Sequence, residues 1–230
     1  MVAFNCIINM KEQIQQVLHN IAVAKSAGNN SADVCIVAAT KTRSIDTIKQ
    51  LLVNGVNTVG ENRVQELLLK YEQIEGLSWH FIGSLQRNKV KYIVDKVDMI
   101  QSVDSIELAT EIDKRCRLIG KVMPILVEVN IGGEVQKSGV SVNELPQLLS
   151  SIITLPNVAL RGLMTVMPID APISLYAQMK SLFDSTADML NLVNFDLLSM
   201  GMSSDYQVAV RSGANMVRLG RCIFGERYYE

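Results

Sequence analysis

The chain has 230 residues, 48% of them hydrophobic, and 22 basic against 23 acidic side chains for a formal net charge of −1. That length and apolar content suit one large packed α/β core. The charge balance argues against a nucleic-acid or membrane-surface role, and aromatics at 5% are too few for a base-stacking surface.

In chain order, the opening MVAFNCIINM is apolar but short, lacks a basic leader and runs straight into Lys11 and Glu12, so it does not read as a signal peptide. A helix over roughly residues 10–27 follows. Eight short apolar runs then read as strands: 34–39, 57–61, 79–83, 99–103, 124–130, 161–166, 197–201 and 216–220. Between them, 45–55, 88–97, 105–120 and 173–190 carry helical periodicity. Near-continuous apolar strands alternating with helices predict a parallel sheet covered by helices. Eight repeats in this length predict a single α/β domain over residues 1–230, a (β/α)8 TIM barrel with an extra N-terminal helix. A doubly wound sheet would also alternate, but no Gly-x-Gly-x-x-Gly follows the first strand. The four cysteines, Cys6, Cys35, Cys116 and Cys222, are scattered and form no Cys-x-x-Cys pair, so neither a disulfide framework nor a zinc site is indicated. No apolar run is long enough to span a bilayer. A reduced, cytoplasmic monomer is expected.

The first strand, VCIVAA, runs directly into Thr40 and Lys41. Catalytic groups of such barrels sit at the C-terminal ends of strands, and period-two alternation puts Lys41 on the face of Ala39, Val37 and Cys35. A solvated loop lysine is the ordinary alternative. After the seventh strand, Ser203, Ser204 and Asp205 read as the start of a helix, where free backbone N–H groups suit an anion. The eighth strand ends Arg218-Leu219-Gly220-Arg221, and Gly220 permits close backbone approach to a ligand. Taken one at a time, these residues are better explained by helix capping and a simple turn. Barrel closure makes the eighth strand the neighbour of the first, which brings an amine beside a phosphate cradle. That combination suits pyridoxal 5′-phosphate, with Lys41 as the Schiff-base lysine. Arg218 would point inward at ring height and, keeping its own proton, bond the pyridine nitrogen without protonating it. An aldolase-type Schiff base is the weaker alternative, since the fifth strand, ending Val127-Glu128-Val129-Asn130, holds no lysine.

The stretches AATKTR (38–43), VGENRVQE (59–66), WHFIGSLQRNK (79–89), QKSGV (136–140), LRGLMT (160–165), LSMGMSSD (198–205) and VRLGRCIFGER (217–227) resemble, in order and over essentially the whole chain, the pyridoxal phosphate homeostasis proteins. These are small PROSC-like relatives of the alanine racemase barrel. The resemblance implies a fold-type III barrel with pyridoxal phosphate on Lys41. It further implies Ser203, Ser204, Gly220 and the backbone of Arg221 at the phosphate, Arg218 at the pyridine nitrogen, and Asn62 near the ring. Two residues depart from the family pattern: Arg221 stands where many members have Thr or Ser, and Ser84 replaces the usual Pro. Met164, Met167, Met200 and Met202 are placed as flexible packing around the pocket, with Met200 assigned to the cofactor. His80 is expected as a hydrogen-bonded near-core histidine, His19 as a surface residue, and Lys137 as either a solvated loop lysine or a contact to an anion. The run Arg87–Lys91 is expected as a solvated helix face.

A racemase on this barrel needs a second base opposite the lysine, which in the racemases comes from a further β-domain of the partner subunit. Tyr228 and Tyr229 are present, but nothing in the sequence places them over the ring. The expected function is therefore a non-catalytic carrier that buffers pyridoxal phosphate and delivers it to apo enzymes, with a fold-type III enzyme such as an amino-acid racemase as the alternative.

Overall fold

A computed structural model describes residues 2–225, with side chains from residue 10 onward. Eight strands follow in order: β1 (Cys35–Ala39), β2 (Thr58–Glu61), β3 (Ser78–Phe81), β4 (Met99–Val103), β5 (Met123–Glu128), β6 (Val158–Met164), β7 (Leu197–Ser199) and β8 (Met216–Leu219). Each pairs in parallel with its chain neighbours, and β8 closes on β1 with Val37 opposite Arg218. This is the expected (β/α)8 barrel. The outer layer is α1 (Val2–Gly28), α2 (Ile45–Val53), α3 (Val64–Tyr71), α4 (Ile106–Leu118), α5 (Leu145–Ile152), α6 (Ile173–Leu190), α7 (Tyr206–Arg211) and α8 (Arg221–Phe224).

Period-two alternation divides the buried residues into two layers. Val37, Met99, Leu126, Met164 and Met216 fill the barrel interior, with Cys35, Ile82 and Leu197 packed against them. The intervening strand residues, such as Ala38, Ile100, Val127, Val217 and Leu219, face the helices in a second cluster running from Met10 to Ile223. The N-terminal helix α1 packs on α7 and α8 beside the β8–β1 closure. There Asn20 Nδ2 donates to Tyr206 Oη at 2.8 Å.

Three helices are not evident from the sequence: α3, α5 and the four-residue α8. In α3 the consecutive Leu67, Leu68 and Leu69 blur the period, and Arg63 supplies no side-chain cap. The short α5 carries Pro146 in its first turn. Conversely, 88–97 is no α-helix: a 3-10 turn spans Arg87–Tyr92. Val90, Ile93, Val94 and Val97 are all buried at helical spacing. Their β-branched side chains disfavour a continuous helix, so the segment anchors as successive turns. Of its basic residues, Arg87 and Lys91 are exposed.

One glycine fixes the sheet geometry on the way to the site. Gly162 in β6 has φ +147, and the β5–β6 register shifts beside it, with Leu126 opposite Gly162. A Cβ there would collide with the carbonyl of Leu197 on β7. Gly162→Ala is expected to lower stability by about 3 kcal/mol, a fall in Tm of roughly 6–12 °C by calorimetry. An unchanged Tm would contradict this close approach.

Candidate functional site

The site forms where β1 and β8 end side by side. Lys41 lies in the turn just past β1, closed by Arg43 N–H donating to the Thr40 carbonyl at 3.0 Å. Below it, Cys35 and Val37 belong to the barrel interior, as the alternation requires. Across the seam, a Cβ on Gly220 would sit 3.7 Å from Ala39 Cβ, in ordinary contact. Arg43 joins the same turn to α8: its Nη2 donates to the Gly225 carbonyl at 2.9 Å and its guanidinium lies over the Phe224 ring.

At the β8–α8 junction two backbone donors converge on one oxygen. The N–H groups of Gly220 and Cys222 both donate to Ser203 Oγ, at 3.0 and 3.3 Å. Ser203 is half-buried, whereas Ser204 and Arg221 are exposed on the rim. Asp205 holds the Ser203 loop by accepting from Met202 N–H at 2.7 Å and from Tyr176 Oη at 2.7 Å.

Beneath the rim, Arg218 is 5% exposed. Its Nη1 donates to the Ser199 carbonyl and Oγ at 3.1 and 2.7 Å, and its Nη2 to the Thr165 carbonyl at 2.8 Å. Burial pulls its pKa down to about 10, against the opposing influence of Glu128 and Asp205, so it stays cationic at neutral pH. Ser199 Oγ donates in turn to Gln101 Oε1 at 2.8 Å, and Gln101 Nε2 faces His80 Nδ1 at 2.9 Å. Because the amide nitrogen can only donate, His80 Nδ1 accepts and the ring proton resides on Nε2. A polar chain thus crosses the barrel from Arg218 to His80, and His80 is the buried, hydrogen-bonded histidine expected.

Two titrations in this region oppose each other. Burial lowers the His80 pKa from 6.5 to about 4, with Asp98 raising it. The unfolded chain therefore binds a proton first as pH falls below 6.5, and stability drops through this range. Glu128 follows Leu126 on the inward face of β5 and is 7% exposed. Burial raises it from 4.5 to about 7, with Arg218 lowering and Asp104 raising it. Here the folded state holds the proton longer, so stability falls as pH rises from 4.5 to 7. Between pH 4.5 and 6.5 the two slopes offset. Glu128→Gln should therefore leave stability unchanged near pH 4.5 and raise it by about 2–3 kcal/mol at pH 8, by urea unfolding. Equal gains at both pH values would contradict a carboxyl that titrates in the folded barrel.

Asn62, just past β2, is half-buried, and its Oδ1 is buried without a hydrogen-bond partner. Met200 is corrected by the register. Ser199 takes the inward position, so the fully buried Met200 side chain lies in the helix-facing layer together with Met167. Met164 is the inward methionine of the four, and Met202 is 37% exposed. Lys137 pairs with Glu134 and donates to the Met167 carbonyl at 3.1 Å, tying two mouth loops together. His19 is exposed. Tyr228 and Tyr229 lie outside the described residues. Ser199, Gln101 and Glu128 are not marked as site residues by any motif of the sequence. Their signal was a polar residue at an inward position of an otherwise dry strand.

An amine, a buried cation, two convergent backbone donors and an orphaned amide oxygen fit a ligand with an aldehyde, a heteroaromatic ring and an anionic group. Among the described residues no cluster of three or more His, Cys, Asp or Glu could hold a metal. Fold and site together define a closed parallel barrel with a lysine at the mouth of β1, the architecture of the alanine racemase barrels. The family model described as alanine racemase, N-terminal domain, matches residues 13–228. The pyridoxal phosphate homeostasis protein of Aquifex aeolicus (strain VF5) is 41% identical over 228 residues, 96% of this chain and 100% of that one. The chain belongs to the alanine racemase N-terminal domain family and, within it, to the pyridoxal phosphate homeostasis proteins. PipY of Synechococcus elongatus PCC7942, solved with PLP bound, superposes with a TM-score of 0.82 at 28% identity, over 94% of this chain and 100% of that one. An alanine racemase of Clostridium difficile 630 shares the fold, with a TM-score of 0.75 at 17% identity over 95% of this chain and 58% of the racemase chain.

Proposed function

We propose that this chain binds pyridoxal 5′-phosphate at the barrel mouth through Lys41 and serves cofactor homeostasis by storing and delivering it. The observation that carries this is the adjacency of the Lys41 turn and the Ser203–Gly220–Cys222 cradle across the β1–β8 seam. The homeostasis relatives and the PLP-bound form of PipY support it. The cofactor supplies an aldehyde that condenses with an amine and a ring that withdraws electrons.

The protein's own groups have separable tasks. Lys41 would hold the aldehyde end of the cofactor through its amine. The Gly220 and Cys222 N–H groups, which here donate to Ser203 Oγ, would hold the phosphate together with Ser203 and the rim residues Ser204 and Arg221. Arg218, fixed by Ser199 and Thr165, would serve the pyridine nitrogen as a donor that keeps its proton. Asn62, whose buried oxygen has no partner in the protein, would be available to a polar substituent of the ring. With no proton supplied at the ring nitrogen, the ring is a weak electron sink, which favours storage over turnover. Cytoplasmic location, a monomeric single domain and transfer to apo enzymes complete the proposal. Among the described residues, no helix is long and apolar enough to cross a membrane.

A racemase-like enzyme is the competing reading, and it draws on likeness of fold. The test is to load the protein with pyridoxal phosphate, reduce with borohydride and map the adduct. The loaded protein is then incubated with single amino acids in deuterated water and, separately, with an apo enzyme. An adduct on Lys41 with cofactor transfer is the expected result. α-Proton exchange at enzymatic turnover would replace the carrier by an enzyme.

A further inference from the structure

Helix α3 reaches both peptide groups that flank Lys41. On one side, Lys70 Nζ donates at 2.8 Å to the Thr40 carbonyl, the oxygen of the peptide joining Thr40 to Lys41. On the other, Glu66 Oε2 accepts at 2.8 Å from Thr42 N–H, the donor of the peptide joining Lys41 to Thr42. The two charges also pair with each other at 3.4 Å, four residues apart on one helix face. Lys70 is anchored from behind by Glu61 Oε1 at 2.7 Å, and that same oxygen accepts from Thr40 Oγ1 at 2.7 Å.

The conformation held in this way is unfavourable in isolation. Thr42 has φ +64, in the left-handed region, which for a β-branched residue is a genuine outlier. The network also leaves Glu61 Oε2 buried without a hydrogen-bond partner. Strain of this kind persists only where the surroundings over-determine it. Burial alone would raise the Glu66 carboxyl, but the Thr42 N–H and Lys70 outweigh it and hold it below the ordinary value. Glu66 is thus an ionised acceptor at neutral pH.

We propose that Glu66 and Lys70 are positioning residues that clamp the Lys41 backbone from both sides and so fix the amine at the barrel mouth. The functional meaning rests on Lys41 as the cofactor-bearing residue; the clamp itself is a property of the apo protein.

The test uses Glu66→Ala, Glu66→Gln and the double variant Thr42→Gly/Glu66→Ala. In the apo protein, hydrogen exchange of the Thr42 amide and trinitrobenzenesulfonate labelling of Lys41 are followed. Pyridoxal phosphate affinity is measured by visible absorbance. Losing one charge-assisted hydrogen bond should speed Thr42 exchange about tenfold, change the Lys41 labelling rate and weaken cofactor binding about tenfold. Glu66→Gln keeps an acceptor and should stay within about threefold of wild type. In the double variant glycine removes the left-handed penalty and should recover most of the binding. Wild-type exchange and labelling in Glu66→Ala would overturn the clamp. A borohydride adduct on another lysine would overturn only the cofactor assignment, because the apo readouts judge the clamp by themselves.

Discussion

Lys41→Ala is expected to abolish the visible Schiff-base absorbance after incubation with pyridoxal phosphate and to leave no borohydride-fixed adduct on the chain. The amine is the only part of the proposed site that can make a covalent bond to the aldehyde. The Arg218 cation on β8, the Gly220 donor at the β8–α8 junction and the Cys222 donor on α8 lie outside the Lys41 turn and survive the substitution. Residual binding should therefore be weak and non-covalent, with affinity down on the order of a hundredfold. Lys41→Arg keeps the charge but forms no Schiff base, so its loss should match that of alanine if the bond, and not the charge, holds the cofactor. Lys41 is half-buried in a turn rather than packed in either core layer. Both variants should accordingly stay folded without cofactor, with a cooperative melting transition. An adduct that persists on another lysine would sink the assignment.

What could be read from the sequence was whatever depends on local period and on closure of the barrel. VCIVAA alternates, so the inward set Cys35 and Val37 and the lysine beyond it followed from one strand alone. Pairing of β8 with β1 then placed Arg218 opposite Val37. The interior polar chain was out of reach, because Gln101 meets Ser199 across 98 positions and only the shared barrel axis connects them. Met200 failed for a related reason. At the end of a three-residue strand, one step of register decides between barrel interior and helix layer, and Ser199 holds the inward step. The α3 clamp was hidden twice over. Its helix was masked by three successive leucines, and its partners, Lys70 and the Thr40 carbonyl, lie 30 positions apart. Strand ends show in a sequence as residue types, whereas the supports that fix their geometry come from neighbouring elements and leave no local pattern.

Lys70→Met should be the most destabilising single change in the described structure outside the apolar core. Glu61 is 0% exposed, and its carboxylate has the Lys70 ammonium and the Thr40 hydroxyl as partners. Burial already raises its pKa above the ordinary 4.5, with Lys70 and Thr40 holding it down and Glu66 pushing it further up. Methionine matches the lysine stem but removes the charge, leaving an uncompensated buried carboxylate. The expected loss is about 3–5 kcal/mol at pH 7, read as a shift of the urea midpoint at constant slope. The pH dependence identifies the cause. With its folded pKa raised still higher, Glu61 costs stability as pH rises above 4.5, and nothing below it, where both states are protonated. The defect should therefore shrink as pH falls toward 4.5. Glu61→Gln/Lys70→Met should regain most of the loss at pH 7, because the unpaired charge is gone while the amide can still accept from Thr40. A Lys70→Met defect of equal size at pH 4.5 and pH 7 would assign Lys70 a packing role instead. The double variant separates two contributions of one side chain. Stability returns when Glu61 is neutralised, but the Thr40 carbonyl still lacks its ammonium, so any shortfall in cofactor affinity that remains belongs to the clamp on Lys41.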